Sequence, residues 1–448
     1  MSVSHTKPAS TRDLRLMPGL GAVDFSAAGL PERLAEKVEG ELEVFAAHMR
    51  HGLLAAAVNV GLDVFAQLLE TEVTEVAGPK GKHNPARSAV RHGKDNATIP
   101  LGGRKVTVQR PRVRALDASG EITLETWAAL AGRDLLDRHT LVSMLAGVST
   151  RAYQTALEPV GPTVEDAETS TSKSAVSRRF VEATRARLDA FRSRNLGDRR
   201  WLIVYIDGFG LADEALIGAL GVDHSGNKVL ASVVHGTTDN KTAVKCLRDD
   251  IEARGFDPAA GVLFVLDGGK AAYHAVADKW GDTSLIQRCR AHKTRTVCDL
   301  LPAERQGQVR VELHRAWALP DPGEAKRALE ALAAKTCRTH PDAAASLREG
   351  LADTITINHL GVTGALGRTL ATTNPIESTI DIVKVHARNV KRWQPGDMRL
   401  RWAVAGLMAA EAQYRRVRGH AGLDRLAIAI SAEIARRNPH QPAAATAA

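Results

Sequence analysis

"WLIVYIDG", residues 201–208, is an apolar run that ends in an acid followed at once by glycine. A continuous apolar run of this length reads as a strand buried on both faces rather than one half exposed to water. Downstream, "ALIGALGVDHSGNKVLASVVHG" splits into two runs about a Ser-Gly-Asn turn, and "KTAVKCLRDDIEARGF" has helical spacing. "GVLFVLDGG", residues 261–269, then repeats the first pattern, with Asp267 at its end. A helix, "KAAYHAVADKW", and a strand, "SLIQRC", follow and run into "RAHKTRTVCDLL". The expected order is β-β-β-α-β-α-β-α.

Ligands of open α/β sheets gather beyond the strand ends. Asp207 and Asp267 are therefore aimed at a shared site, although either alone also reads as a turn residue. The order of elements matches a ribonuclease-H-like sheet, whose first and fourth strands are adjacent. A third acid from a later helix completes such a site, and Glu377, in "LATTNPIESTIDIVKVHARNVKRW", is the candidate. The competing reading is a cap, with Asn374 as N-cap, Pro375 at the first helical position and Glu377 at the third. Stepping along that helix, Asp381, Lys384, Arg388 and Lys391 fall on the glutamate's face, a stripe suited to a DNA backbone. Three carboxylates without a histidine cage suit hard, oxygen-liking ions, Mg2+ or Mn2+, two per site.

Upstream, residues 1 to about 25 read as a loose arm, and Leu30 to about Val76 as two or three helices. Between Lys80 and Arg114 ten basic residues face one acid, Asp95. There "RKVTVQRPRVRA" and "DASGEITLET" read as extended segments around a turn, with Arg110, Arg112 and Arg114 on one face. Together with Arg104 and Lys105 they make a candidate phosphate-contacting ribbon; the alternative is a solvated charged face. "GVSTRAYQTALEPVG" and "TSTSKSAVSRRFVEATRARLDAF" read either as a helix-turn-helix reader presenting Lys173 and Arg178 or as a plain helical hairpin.

The net charge of +9 and pI near 9.5 favour a polyanionic partner. The first residues lack the apolar core of a signal peptide, and no apolar run is long enough to span a bilayer, so a cytoplasmic protein without membrane contact is expected. Four scattered cysteines, Cys246, Cys289, Cys298 and Cys337, read as reduced thiols.

The blocks "VYIDG", "VLDGG", "QRCRAHKTRTVCDLLP" and "TTNPIEST", in this order, resemble the mutator-type transposases of bacterial insertion sequences. "GGRKVTVQRPRVRA" and "GVSTR" fit the same family, and the similarity covers roughly residues 85 to 415. The resemblance implies a DDE transposase with triad Asp207, Asp267 and Glu377 and a helical insertion within the 110 residues between the last two. It also implies binding of double-stranded DNA, both element ends and target, by at least a homodimer. By position Cys289 and His292 match a Cys-x-x-His element of the family, read as structural, DNA-proximal, or half of a zinc site completed by Cys298 and His314. Trp317, in the insertion, is either a base-stacking residue or core. The segment "GFGLADE" after Asp207 has no close counterpart.

The expected architecture is multidomain α+β: N-terminal helices (1–78), a basic β-containing segment (79–133), a helix-turn-helix-like module (134–200) and a ribonuclease-H-like α/β catalytic core (201–301). An all-helical insertion (302–368), the second part of the core (369–430) and a disordered tail (431–448) complete it. A catalytically silent DNA-binding regulator and a structure-specific nuclease on the same fold are the rival readings.

Overall fold

The computed structural model describes residues 53–438, apart from 83, 86, 102, 118, 132–137, 150–152, 154–156, 158–159, 161 and 170–171. The expected arm, the first of the N-terminal helices and the end of the tail lie outside the described residues. The chain forms two compact units, Met1–Leu136 with Ala156–Thr171, and Asp137–Thr155 with Ser172–Ala448.

In the first unit a long helix, α1 (Leu53–Ala77), lies on a small sheet. Strands β1 (Ala89–Leu101) and β2 (Arg104–Ala115) form an antiparallel hairpin, with β3 (Glu121–Ile122) and β4 (Glu168–Thr169) also pairing β2. Phe65, Leu69 and Val73 of α1 meet Ile99 and Val113 of the hairpin and Leu124, just ahead of helix α2 (Glu125–Leu130). The turn between β2 and β3 is where the sequence places it. Strand β1, "AVRHGKDNATIPL", was not anticipated, because it carries polar residues on both faces.

The second unit is built on a five-stranded sheet, preceded in the chain by helices α3 (Arg138–Leu145) and α4 (Lys173–Arg192). Its strands are β5 (Trp201–Leu211), β6 (Glu214–Asp223), β7 (Lys228–His235), β8 (Val262–Leu266) and β9 (Ser284–Arg288), in the order β7-β6-β5-β8-β9. The first three are antiparallel, and β5–β8 and β8–β9 are parallel. The expected strand-helix order and the adjacency of first and fourth strands are both present. Helices α5 (Lys241–Ala253) and α6 (Lys270–Trp280) cover one face, and α7 (Arg290–Asp299) follows β9. Alternate strand residues serve opposite faces. Val204, Ile206, Phe264 and Leu266 pack toward α5 and α6, whereas Ile203, Tyr205, Leu263 and Val265 pack toward later helices. This double burial explains the unbroken apolar runs.

Beyond α7 the chain is helical: α8 (Ala303–Trp317), α9 (Pro322–Cys337) and α10 (Pro341–Arg348) enclose their own core, and α11 (Gly364–Leu370) leads back to the sheet. Helices α12 (Asn374–Ala387), α13 (Met398–Glu411) and α14 (Leu423–Arg437) close the second face. Helix α14 runs to Arg437, so residues 431–437 are helical rather than part of a disordered tail. Among the described residues no helix is long and apolar enough to cross a membrane.

The first helix of the expected helix-turn-helix, residues 147–161, falls largely outside the described residues. The second is α4, capped by Ser172, whose side chain accepts from the Ala175 amide. Its apolar face, Val176, Phe180, Leu188 and Phe191, is buried, and it packs on α13 and α3.

Candidate active site

The last parallel pair between β5 and β8 is Ile206 with Leu266, so Asp207 and Asp267 stand side by side one residue further on. Asp207 was expected to end its strand and does not; β5 continues to Leu211 in a hairpin with β6. The unmatched "GFGLADE" is this extension and its turn.

The partner of Asp207 across the hairpin is Gly218. A Cβ there would come 3.3 Å from Ile376 Cδ1 of α12. The bare glycine thus lets the first turn of α12 rest on the sheet, and Glu377, the next residue, comes near enough to Asp207 to help raise its carboxyl.

The expected capping box at Glu377 does not form. Thr373, not Asn374, is the N-cap, and its own side chain caps no amide of the first turn. Instead the Thr373 hydroxyl donates to Glu377 Oε1 at 2.6 Å. Thr373 is fully buried, and its backbone N–H points at Cys289 Sγ, 3.4 Å away. Cys289 caps α7 and accepts from the His292 amide. His292 Nδ1 lies 3.4 Å from that sulfur, 3.3 Å from Thr373 Oγ1 and 3.8 Å from Glu377 Oε1. Cys289 and His292 therefore fasten the start of α12 to the end of β9. The ligand atoms of Cys289, His292 and Glu377 lie within 4.8 Å of one another, but the Thr373 hydroxyl touches all three. Cys298, whose thiol faces the Gln306 carbonyl, and His314, edge-on to Trp317, do not join this cluster, so they do not complete a zinc site. All four cysteines are free thiols.

Asp207 is 3% exposed. Burial pushes its carboxyl up to about 7, with Asp267 and Glu377 adding to the rise and His292 and the Thr373 hydroxyl opposing it. His292 is pushed up to about 9, first by its bond to Cys289, against burial, and further by Asp207 and Asp267. The Cys289 thiol, though opposed by burial, sits below its ordinary value because His292 and Thr373 hydrogen-bond to it. Asp267 accepts from the Thr238 hydroxyl at 2.7 Å and the Gly269 amide at 2.9 Å. Crowded carboxylates with hard oxygen donors are a ligand set that fits a hard divalent cation.

The other expected residues are less concentrated. Arg104 is buried and salt-bridged to Glu168, which removes it from any DNA-contacting surface. Arg110 is held by both oxygens of Asp95 and lies over Trp127, and Arg112 pairs with Glu121. Lys105 and Arg114 on the same strand are exposed, as are Lys173 and Arg178 on α4. Helix α12 stops at Ala387, so Arg388 is its C-cap and Lys391 lies past it. The expected stripe is thereby shortened, and Lys384 within it pairs with Asp381. Trp317 is 4% exposed, donates to Thr354 Oγ1 at 3.0 Å and carries the Arg290 guanidinium over its ring. It is core, not a base-stacking residue. Thr373 and Thr238 were missed by sequence reasoning; only the threonines of "TTNPIE" hinted at the first.

A family model described as "Transposase, Mutator family" matches residues 36–416. The chain is 27% identical over 307 residues to the transposase for insertion sequence element ISRM5 of Rhizobium meliloti (strain 1021), covering 66% of this chain and 73% of that protein. It is 28% identical over 236 residues to the transposase for insertion sequence element IS6120 of Mycolicibacterium smegmatis, 51% of this chain and 71% of that one. With the transposase for insertion sequence element IST2 of Acidithiobacillus ferrooxidans it shares 27% over 176 residues, 39% of this chain and 58% of that protein. With a family match running from the N-terminal helical region through all three acids to the loop beyond α13, the chain belongs to the Mutator family of transposases.

Proposed function

We propose that this transposase binds the terminal inverted repeats of its own insertion sequence as a dimer or larger homo-oligomer and catalyses strand cleavage and strand transfer at Asp207, Asp267 and Glu377, on a ribonuclease-H-like sheet. The observation that carries the reading is the convergence of the three acids, two from adjacent parallel strands and one from the first turn of α12. Two Mg2+ or Mn2+ ions held by these carboxylates would supply the polarisation of an attacking water or 3'-hydroxyl and the stabilisation of the leaving oxygen. The chain's own part is to aim the ligands. Thr238 and the Gly269 amide orient Asp267, and Thr373 fixes one oxygen of Glu377 while leaving the other free. His292, with Nδ1 3.8 Å from Glu377 Oε1 and its proton held more tightly than usual, is a cation beside the acids. Lys105, Arg114, Lys173, Arg178, Lys384, Arg388 and Lys391 are the proposed DNA contacts from the expected set, all exposed.

The test uses DNA carrying the gene's flanking ends, with Mg2+ and with chelator. Cut and joined products in Mg2+ alone are expected. Cutting without joining would make the protein a nuclease, and specific binding without cutting under any metal would make it a regulator.

Thr373→Val keeps the volume of a buried side chain while removing the hydroxyl on Glu377. Outer partners of metal ligands are typically worth about 10–100-fold in activity or metal affinity. A loss of that size is expected in the cleavage assay, with Thr373→Ser restoring most of it. Equal activity of the Val variant would show that the hydroxyl does not position the glutamate.

A further inference from the structure

The second unit holds a groove of about 640 Å3 against the first turn of α12. Its wall includes Asn374, Pro375 and Ser378, which lie within three residues of Glu377, and Thr372 just ahead of the helix. The other lining residues include five cations, Lys228, Arg368, Arg415, Arg416 and Arg418, and no aspartate or glutamate. The four arginines are exposed, and none has a carboxylate partner among the described residues. This contrasts with Arg104, Arg110 and Arg112, each of which spends its charge on an acid.

The arginine loop is fixed in place. In "YRRVRG", residues 414–419, Tyr414 and Val417 turn inward. Tyr414 donates to Thr379 Oγ1 of α12 at 3.0 Å and has the Lys228 ammonium over its ring at 4.7 Å. Val417 is 2% exposed and its amide donates to the Gly226 carbonyl at 2.8 Å. Thr369 Oγ1 donates to the Arg418 carbonyl at 3.1 Å. Arg415, Arg416 and Arg418 are thus left facing solvent from an anchored backbone. Arg368 and Thr372 also line a second cavity of about 560 Å3, which extends the trough toward Arg290 of α7 and Trp317 of the helical insertion.

We propose that this groove holds the sugar–phosphate backbone of the DNA duplex as it reaches the acids. The inference rests on the transposase chemistry proposed above for its placement, but its ligand is argued from charge. Uncompensated guanidiniums interleaved with hydroxyl and amide donors are the chemistry of phosphate contact. A groove that shares its first turn with Glu377 sets the backbone in register with the cleavage site.

The experiment measures affinity of the full-length protein for a short duplex of arbitrary sequence across a range of salt, in chelator. Phosphate contacts carry no sequence information, so the ends of the element are not needed. Each lost contact lowers the slope of log K against log salt by about 0.9 on duplex DNA. The triple variant Arg415→Gln/Arg416→Gln/Arg418→Gln is expected to flatten that slope by about 2–3. Arg110→Gln/Arg112→Gln is expected to leave it unchanged, and the triple Arg→Lys variant to retain it. Thermal unfolding of each variant accompanies the titrations. An unchanged slope in the Gln triple, or an equal loss in the Lys triple, would overturn the proposal, as would failure of the wild type to bind duplex. Slope loss in a Gln triple as stable as the wild type supports the groove whether or not the wild type cuts DNA, so the two readings fail separately.

Discussion

Asp207→Asn is expected to reduce DNA cleavage by about 10³-fold or more and at the same time to make the metal-free protein more stable. The first effect follows from loss of a charged ligand at the reacting phosphate, where removal of even one stabilising group costs about 10²–10³. The second follows from the position of the carboxylate. Asp207 is 3% exposed and its carboxyl is pushed up to about 7 by burial and by Asp267 and Glu377. The folded state therefore holds a proton that the unfolded chain releases near pH 4. Below that pH the group is protonated in both states and costs nothing. As pH rises from about 4 to 7 the folded state loses stability, by at most about 4 kcal/mol for a shift of this size, and above 7 the loss is complete. Asparagine cannot ionise and escapes the loss. Thermal unfolding in chelator should show the variant above the wild type at about pH 7.5 and the gap closing at about pH 4, as the same linkage requires. Added Mg2+ should raise the wild type far more than the variant. A variant that cuts normally would remove Asp207 from the ligand set; one that is less stable in chelator at neutral pH would sink the electrostatic account.

The largest expected loss of stability lies at the opposite end of β5. Trp201 is 1% exposed, donates from Nε1 to the Leu196 carbonyl at 2.9 Å and meets Phe256 at 6.0 Å between ring centres. Its ring occupies the space over Gly221 of β6, where a Cβ would fall 2.2 Å from Cζ3. Trp201→Ala is expected to cost about 3–5 kcal/mol, a large part of the roughly 5–15 kcal/mol that keeps a domain folded. Gly221→Ala fails for the reverse reason, since the ring cannot retreat, and overpacking of this kind costs about 1–3 kcal/mol or more. In a Trp201→Leu background the alanine should be far better tolerated, a coupling of about 0.5–3 kcal/mol in a double-mutant cycle. Strict additivity in denaturant titrations would refute the packing argument.

What the sequence made legible, and what it hid, separate on physical grounds. Strands β5 and β8 are buried on both faces, so their apolar runs and the Asp-Gly pair that follows each stood out, and the acids could be paired by topology alone. Helix α13 was missed for the same cause turned around: Leu400, Trp402, Val404, Leu407 and even Arg399 and Arg401 are buried, which leaves no polar stripe to give a period. Arg104 looked like part of a basic surface because its partner, Glu168, lies 64 residues away. Thr373 displaced Asn374 as cap because a hydroxyl at that place can reach a carboxylate already aimed at the aspartates. The cationic groove draws on residues 228, 368 and 415–418, and no local window contains them together.

The acids themselves are far apart in the chain, with Asp207 and Glu377 separated by 170 positions. Only when α12 settles against Gly218 does the third carboxylate arrive. During synthesis the sheet and the helical insertion leave the ribosome before that helix does, so the nascent chain passes most of its growth with two acids and no third. A product stopped ahead of Asn374 keeps both aspartates but lacks the blade that completes them. On the reading proposed above, such a product is expected to present no complete set of metal ligands and to leave DNA uncut.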